Sequence, residues 1–158
     1  VGAIGPINTN PDLITASVNG LLSNSVEGPE SIIVGFACQE CCYRAIDEAG
    51  EERLQYPANL HILEVPCTGS ISSQQILQTL KAGAKGVILF ACDSKLCHYG
   101  RGAQMANARA KVVSSLFSQS GGFPEQVQVV HMIGRDAREF AEAANQAVTA
   151  IKKANNGG

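Results

Sequence analysis

The residues able to do chemistry are six cysteines, set in the stretches "ACQECC" at 37–42, "VPCTGS" at 65–70 and "ACDSKLC" at 91–97. Clustered thiols hold an iron–sulfur centre, hold zinc, or exchange disulfides. An iron–sulfur centre needs converging thiolates and accepts donors far apart in sequence. Structural zinc usually takes its four from two close knuckles on a small ribbon. Here C-x2-C and C-x4-C are separated by a stretch with its own strand and helix, which fits a ribbon poorly. The third chemistry would use Cys38 and Cys41, since "CQEC" follows a strand and opens a helix, where the helix N-terminus lowers a thiol pKa. That reading leaves Cys67, Cys92 and Cys97 without a role, so the iron–sulfur reading stands first.

The elements that must position these thiols are legible from periodicity. "Asn10-Pro11-Asp12" reads as an N-cap followed by Pro at the first helical position. Leu13, Ile14, Val18, Leu21 and Leu22 then share a helical face, before a Gly-Pro linker at 28–29. Residues 32–37 form a continuous apolar run, as in a strand buried on both faces. Residues 40–50 read as a helix and Leu60–Val65 as a second strand. Ser72 and Gln75 form a capping box for a helix reaching Gly83. Residues 86–91 are a third strand, and 101–118 a helix with Ala106, Ala110, Val113 and Phe117 on one side. Residues 127–133 are a fourth strand, and about 136–153 a helix with Phe140, Ala144, Ala147, Val148 and Ile151 on one face. Four strand–helix alternations predict a three-layer α/β domain of the flavodoxin/Rossmann-like kind. Its sheet has four mostly parallel strands, with helices on both faces. Residues 1–30 read as a linker with a short amphipathic helix, 31–153 as the cysteine-rich domain, and 154–158 as a disordered tail.

On that topology Cys38, Cys67 and Cys92 follow strands one, two and three. Cys41, Cys42 and Cys97 lie just beyond. In a parallel sheet the carboxyl ends share one edge, where ligand crevices form. A lone cysteine is usually a small buried hydrophobe, but all six at one edge point to a shared site. His98, beside Cys97, reads as orienting its loop rather than as a ligand. His61 and His131 read as packed strand residues. Arg101 and Arg109 read either as offsetting cluster charge or as a solvated helix face. The glycines of "YGRGA" read as close backbone packing near a cluster. No phosphate-binding glycine motif, catalytic triad or paired carboxylates emerge from the spacing.

The composition excludes other classes. A net charge of −2 provides no electrostatic footprint for nucleic acid or an anionic membrane. No apolar stretch approaches the roughly 20 residues that span a bilayer. The chain starts at Val1 without a signal-peptide pattern, so a reduced, cytoplasmic setting is expected, in a processed product or a fragment of a longer chain.

With these residues in view, the chain resembles the iron–sulfur (delta) subunit family of methyl-viologen-reducing hydrogenase. The same domain is fused to the flavin-bearing subunit of heterodisulfide reductase and to related quinone-interacting oxidoreductases. The resemblance is carried by "GFACQECCY" at 35–43, "VPCTGSI" at 65–71, "KAGAKGVILFACDSKLCHYGRG" at 81–102, Ala106 and Arg109. It implies a 2Fe–2S cluster passing electrons between a hydrogenase or similar donor and a flavin-containing subunit, with substrate chemistry elsewhere in the complex. Its metal ligands fall among Cys38, Cys41, Cys67, Cys92 and Cys97, one more thiol than such a cluster needs. Cys42 is extra to the family pattern, and Ala103 stands where Asn is expected. "VGAIGPIN" at the start resembles the tail of a ferredoxin module. The alternatives left beside this resemblance are a thiol–disulfide domain using Cys38 and Cys41, and a structural zinc or docking domain.

Overall fold

The computed structural model describes residues 11–23, 32–133 and 136–156. Four strands, β1 (Ile33–Cys38), β2 (Leu60–Val65), β3 (Gly86–Cys92) and β4 (Val127–Met132), form one sheet in the order β2-β1-β3-β4. Every neighbouring pair is parallel. Five helices accompany them: α1 (Pro11–Ser23), α2 (Cys42–Glu51), α3 (Ser73–Lys81), α4 (Gly102–Gln119) and α5 (Ala137–Asn156). This is the three-layer α/β architecture that the strand–helix alternation predicts.

The alternation of side chains along each strand divides the core in two. Ile33 and Ala37 of β1 join Ile88 and Phe90 of β3 on the face covered by α2 and α5. Val34, Phe36, Val87 and Leu89 point the other way, under α1, α3 and α4. β1 and β3 are buried at every position, whereas β2 and β4 are partly exposed along most of their length, as edge strands are. On the first face Phe140 stacks against Phe90 at 5.4 Å and against Tyr56 at 5.2 Å. Truncating so enclosed a ring to Ala would cost about 3–5 kcal/mol.

Local chemistry explains where the helices begin. Ser72 and Gln75 close a capping box at the start of α3, the Ser72 hydroxyl accepting the Gln75 N–H at 3.1 Å. Before α5, the Asp136 carboxylate accepts the N–H groups of Arg138 (2.7 Å) and Glu139 (3.2 Å), satisfying amides that have no partner inside the helix.

Three expectations shift. The last helix continues to Asn156, so the first residues assigned to a tail are helical; Gly157 and Gly158 lie outside the described residues. On α1 the buried stripe is Ile14, Val18 and Leu22, and it packs towards α3, while Leu13 is turned to solvent. The even spacing of the three buried residues, one helical turn apart, explains the difference, because Leu13 sits one residue off that stripe. The helix read over 40–50 begins at Cys42, after a turn through Gln39–Cys41. The Asn10 cap, the 28–29 linker and the "VGAIGPIN" segment lie outside the described residues.

Candidate metal centre

The chain enters the sheet at β1, moves outward to β2, then returns to the opposite side of β1 as β3. The carboxyl ends of β1 and β3 thus flank the point where strand order reverses, the place where open parallel sheets leave a crevice. Cys38 ends β1 and Cys92 ends β3. Cys41, on the turn into α2, leans over both. The Sγ atoms of Cys38, Cys41 and Cys92 all lie within 4.8 Å of one another. The Cys41 thiol approaches Cys92 at 2.7 Å, and the Cys92 thiol approaches Cys38 at 3.5 Å. Cys38 Sγ in turn faces the Pro66 carbonyl at 3.6 Å. Cys42, wholly buried at the start of α2, places its sulfur 3.4 Å from that of Cys41.

Cys67 and Cys97 both lie against Gly102, the first residue of α4. A Cβ on Gly102 would overlap the Cys67 sulfur and come within 3.2 Å of the Cys97 sulfur, so only hydrogen fits between them. Gly69 is equally confined, because a Cβ there would lie 2.6 Å from the Gly102 Cα. The turn Thr68–Ser70 can therefore press directly on the start of α4. Cys97 is carried by a loop that begins as an Asx turn, the Asp93 carboxylate accepting the Lys95 N–H at 2.8 Å. The loop closes where the Gly100 N–H donates to the Cys97 carbonyl at 2.9 Å, with Gly100 at a φ of +68°, a conformation glycine takes without strain.

Electrostatics matches a bare thiol cluster. The Cys38 thiol is held far above its ordinary pKa by its hydrogen bond with Cys41 and by burial. For Cys41 the bond with Cys38 acts downward, but contact with Cys42, burial and contact with Cys92 outweigh it, and its pKa is also raised. Cys92 is pushed up to about 11, chiefly by burial. Burial raises Cys67 as well, opposed by the backbone N–H groups of Gly69 and Ser70 directed at its sulfur. The Glu40 N–H plays the same part for Cys38. Such thiols exchange their protons for a cation when one binds. The donor set fits an iron–sulfur centre: three sulfurs converge, from the ends of β1 and β3 and from the turn into α2.

Beyond Cys41 and Cys92 opens a cleft of about 240 Å³, lined also by Glu40, Leu96, His98, Met132 and Ile133. Its rim carries two exposed apolar side chains, Leu96 (64%) and Ile133 (71%), beside the polar Glu40 and His98. Tyr99, 53% exposed, stands nearby in edge contact with His98 at 5.1 Å.

Two sequence expectations change here. His131 is exposed rather than packed: its Nδ1 lies 3.1 Å from the Cys92 carbonyl and its Nε2 2.7 Å from the Asn107 amide. The carbonyl can only accept, so Nδ1 carries the hydrogen and Nε2 accepts from Asn107. Arg109 is half-buried rather than on a solvated face; its guanidinium donates to the carbonyls of Gly69 and, at 3.1 Å, of Ile71. Nothing in spacing signals this contact, which joins residues 40 and 38 positions apart.

Residues 33–155 match the family model of the methyl-viologen-reducing hydrogenase delta subunit. The chain belongs to that family. Among its relatives, the iron-sulfur subunit of an F420-non-reducing hydrogenase from Archaeoglobus profundus is 36% identical over 124 residues, covering 78% of this chain and 90% of the relative. The vhu iron-sulfur subunit of the corresponding hydrogenase from Methanococcus voltae is 32% identical over 124 residues, covering 78% and 92%. A longer relative, one subunit of a ferredoxin/F(420)H(2)-dependent CoB-CoM heterodisulfide reductase from Methanosarcina acetivorans, is 27% identical over 146 residues. That match takes in 92% of this chain but 18% of the relative. The domain thus occurs both as a chain of similar size and as a small part of a longer one. Among the described residues, no helix is long and apolar enough to cross a membrane.

Proposed function

We propose that this domain holds a 2Fe–2S cluster and relays electrons between a hydrogenase-type or other redox donor and a flavin-containing, heterodisulfide-reductase-like subunit, in the cytoplasm. The observation that carries the reading is the meeting of Cys38, Cys41 and Cys92 within 4.8 Å at the carboxyl edge of the sheet. The names of the relatives, iron-sulfur subunits of hydrogenases and a heterodisulfide reductase subunit, support the same assignment.

Cys38, Cys41 and Cys92 supply three of the four thiolates. Cys67 supplies the fourth: it follows β2 at the same sheet edge and is only 8% exposed, whereas Cys97 is partly exposed on its loop. Cys97 lies beside it across Gly102 as a neighbouring thiol, and Cys42 lies beneath Cys41. When bound, the cluster supplies one-electron redox chemistry. The chain's own residues fix the sulfurs, direct N–H groups at them, and bury all but the cleft side. A partner docks over that cleft, where Leu96 and Ile133 offer apolar contact next to the cysteines.

Anaerobic purification followed by iron and acid-labile sulfide analysis, with an EPR spectrum after dithionite reduction, tests the reading. Iron and sulfide in equal amounts, and a reduced-cluster signal, are expected. No iron and no signal after anaerobic reconstitution would overturn it. Zinc bound in their place would favour the structural alternative. Retention of the cluster in Cys97→Ser and its loss in Cys67→Ser would support the choice of fourth donor; the reverse would refute it.

A further inference from the structure

Arg109, on α4, sends its guanidinium towards the cysteine edge of the sheet without meeting a thiol. It donates instead to two backbone carbonyls, Gly69 and Ile71, and both belong to the short turn that follows Cys67. This turn is a single coil of 3-10 helix, Thr68–Ser70, with the Ser70 N–H donating to the Cys67 carbonyl at 2.9 Å and the Ile71 N–H to Thr68 at 3.2 Å. The Ser70 hydroxyl also donates to the Cys67 carbonyl, at 2.7 Å. In such a coil the peptide groups align, N–H groups pointing back along the chain and carbonyls forward. The back end lies towards Cys67, where the Gly69 and Ser70 N–H groups act to lower the thiol's pKa against the larger effect of burial. The forward end faces Arg109. A cation at the carbonyl end and a thiolate at the amide end are the two charges that this set of dipoles accommodates.

The contact is also mechanical. Gly69 rests on the backbone of Gly102 with no room for a side chain, and Gly102 rests on the Cys67 and Cys97 sulfurs. Arg109, on the same helix as Gly102, pulls the turn onto that surface. We propose that Arg109 is a positioning residue for Cys67: by holding the Gly69 and Ile71 carbonyls it keeps the Thr68–Ser70 turn pressed on Gly102, and so fixes the Cys67 sulfur that Gly102 abuts. A guanidinium suits the task because one terminal nitrogen, Nη1, serves both carbonyls with its two hydrogens held in the guanidinium plane, whereas the donors of an ammonium rotate freely. The inference rests on the cluster reading above for its effect on redox chemistry, but the hold on the turn stands independently of it.

The test uses the full chain with Arg109→Gln and Arg109→Lys, and Arg44→Gln as a control at an exposed arginine on α2. Hydrogen exchange is followed on the cluster-free protein, and the midpoint potential and reduced EPR spectrum on the cluster-loaded protein. In Arg109→Gln, exchange over residues 68–71 should speed up about tenfold, the loss expected from removing a hydrogen bond to a charged donor. Peptides from β1 and β3 should keep the wild-type rate. Arg109→Lys should fall between wild type and Arg109→Gln in exchange. The loaded Arg109→Gln protein should show a more negative potential and altered g values, because amides leaving a cluster sulfur stabilise its reduced form less. Uniform acceleration across all peptides, or none over 68–71, would overturn the proposal. Altered exchange with an unchanged potential and spectrum would overturn its link to Cys67. If wild type takes up no iron, the cluster reading alone fails, and exchange still decides whether Arg109 holds the turn.

Discussion

Gly102 and Gly50 provide opposite outcomes for the same substitution. Both are helical, Gly102 at the start of α4 and Gly50 in the last turn of α2, and neither has a positive φ. A methyl group on Gly50 would meet nothing within 4 Å. Gly50→Ala therefore gains helix propensity and loses unfolded-state entropy, and should stabilise the protein by about 0.5–1 kcal/mol. On Gly102 the same methyl would overlap the Cys67 sulfur and crowd that of Cys97 at 3.2 Å. The Cys67 sulfur cannot retreat freely, since it is backed by its own turn and that turn by Arg109. Overpacking of this kind costs about 1–3 kcal/mol. Set against a propensity gain of about 1 kcal/mol at a helix end, the net loss is up to about 2 kcal/mol, up to roughly a thirtyfold fall in the folded-to-unfolded ratio. Urea titrations of the cluster-free proteins, followed by far-UV circular dichroism, measure both changes. Iron bound per chain reads the local effect, which for Gly102→Ala should fall below half that of wild type while Gly50→Ala matches it. A Gly102→Ala protein as stable as wild type, with full iron, would refute the close contact between α4 and the two thiols.

Other outcomes follow from the same geometry. Replacing Cys38, Cys41 or Cys92 by Ser should abolish the reduced-cluster EPR signal, whereas Cys42→Ala should retain it and lose about 1 kcal/mol of stability or less; loss of the signal in Cys42→Ala would place that thiol in the ligand set. Cys92 keeps its proton in the folded, cluster-free chain up to about 11, against an ordinary 9.0 in the unfolded chain. Its contribution to stability is therefore complete below pH 9 and is lost as pH rises towards 11, because only the unfolded state has released the proton. The stability difference between wild type and Cys92→Ala should accordingly shift against wild type between about pH 8 and about pH 10.5 in urea titrations; a shift in its favour would contradict the burial of this thiol. Ile133→Asp, at the exposed rim of the cleft, should leave the EPR spectrum unchanged and slow electron transfer from a redox partner by on the order of tenfold, the effect of about 1.4 kcal/mol of lost contact. An unchanged rate in stopped-flow measurements would place docking on another face.

Much of the fold was legible because its signals are local. Continuous apolar runs marked β1 and β3, which are buried at all positions, and the Ser72–Gln75 pair marked the start of α3 within three residues. A helical period located the buried face of α5, from Phe140 to Ile151. The placement of cysteines after strands, together with the rule that parallel strands end on one edge, sufficed to bring Cys38 and Cys92 together. What periodicity could not supply was distance among side chains that meet across the sheet. That Cys41 lies against Cys92 at 2.7 Å, and that Cys67 and Cys97 share the surface of Gly102, depends on the strand order β2-β1-β3-β4 and on the path of two loops. The same holds for Arg109 and His131, whose partners are backbone carbonyls 38 to 40 residues away. A carbonyl has no identity in a sequence, since every residue has one. Only when the chain closes into its layers does it become clear which carbonyl a given side chain can reach.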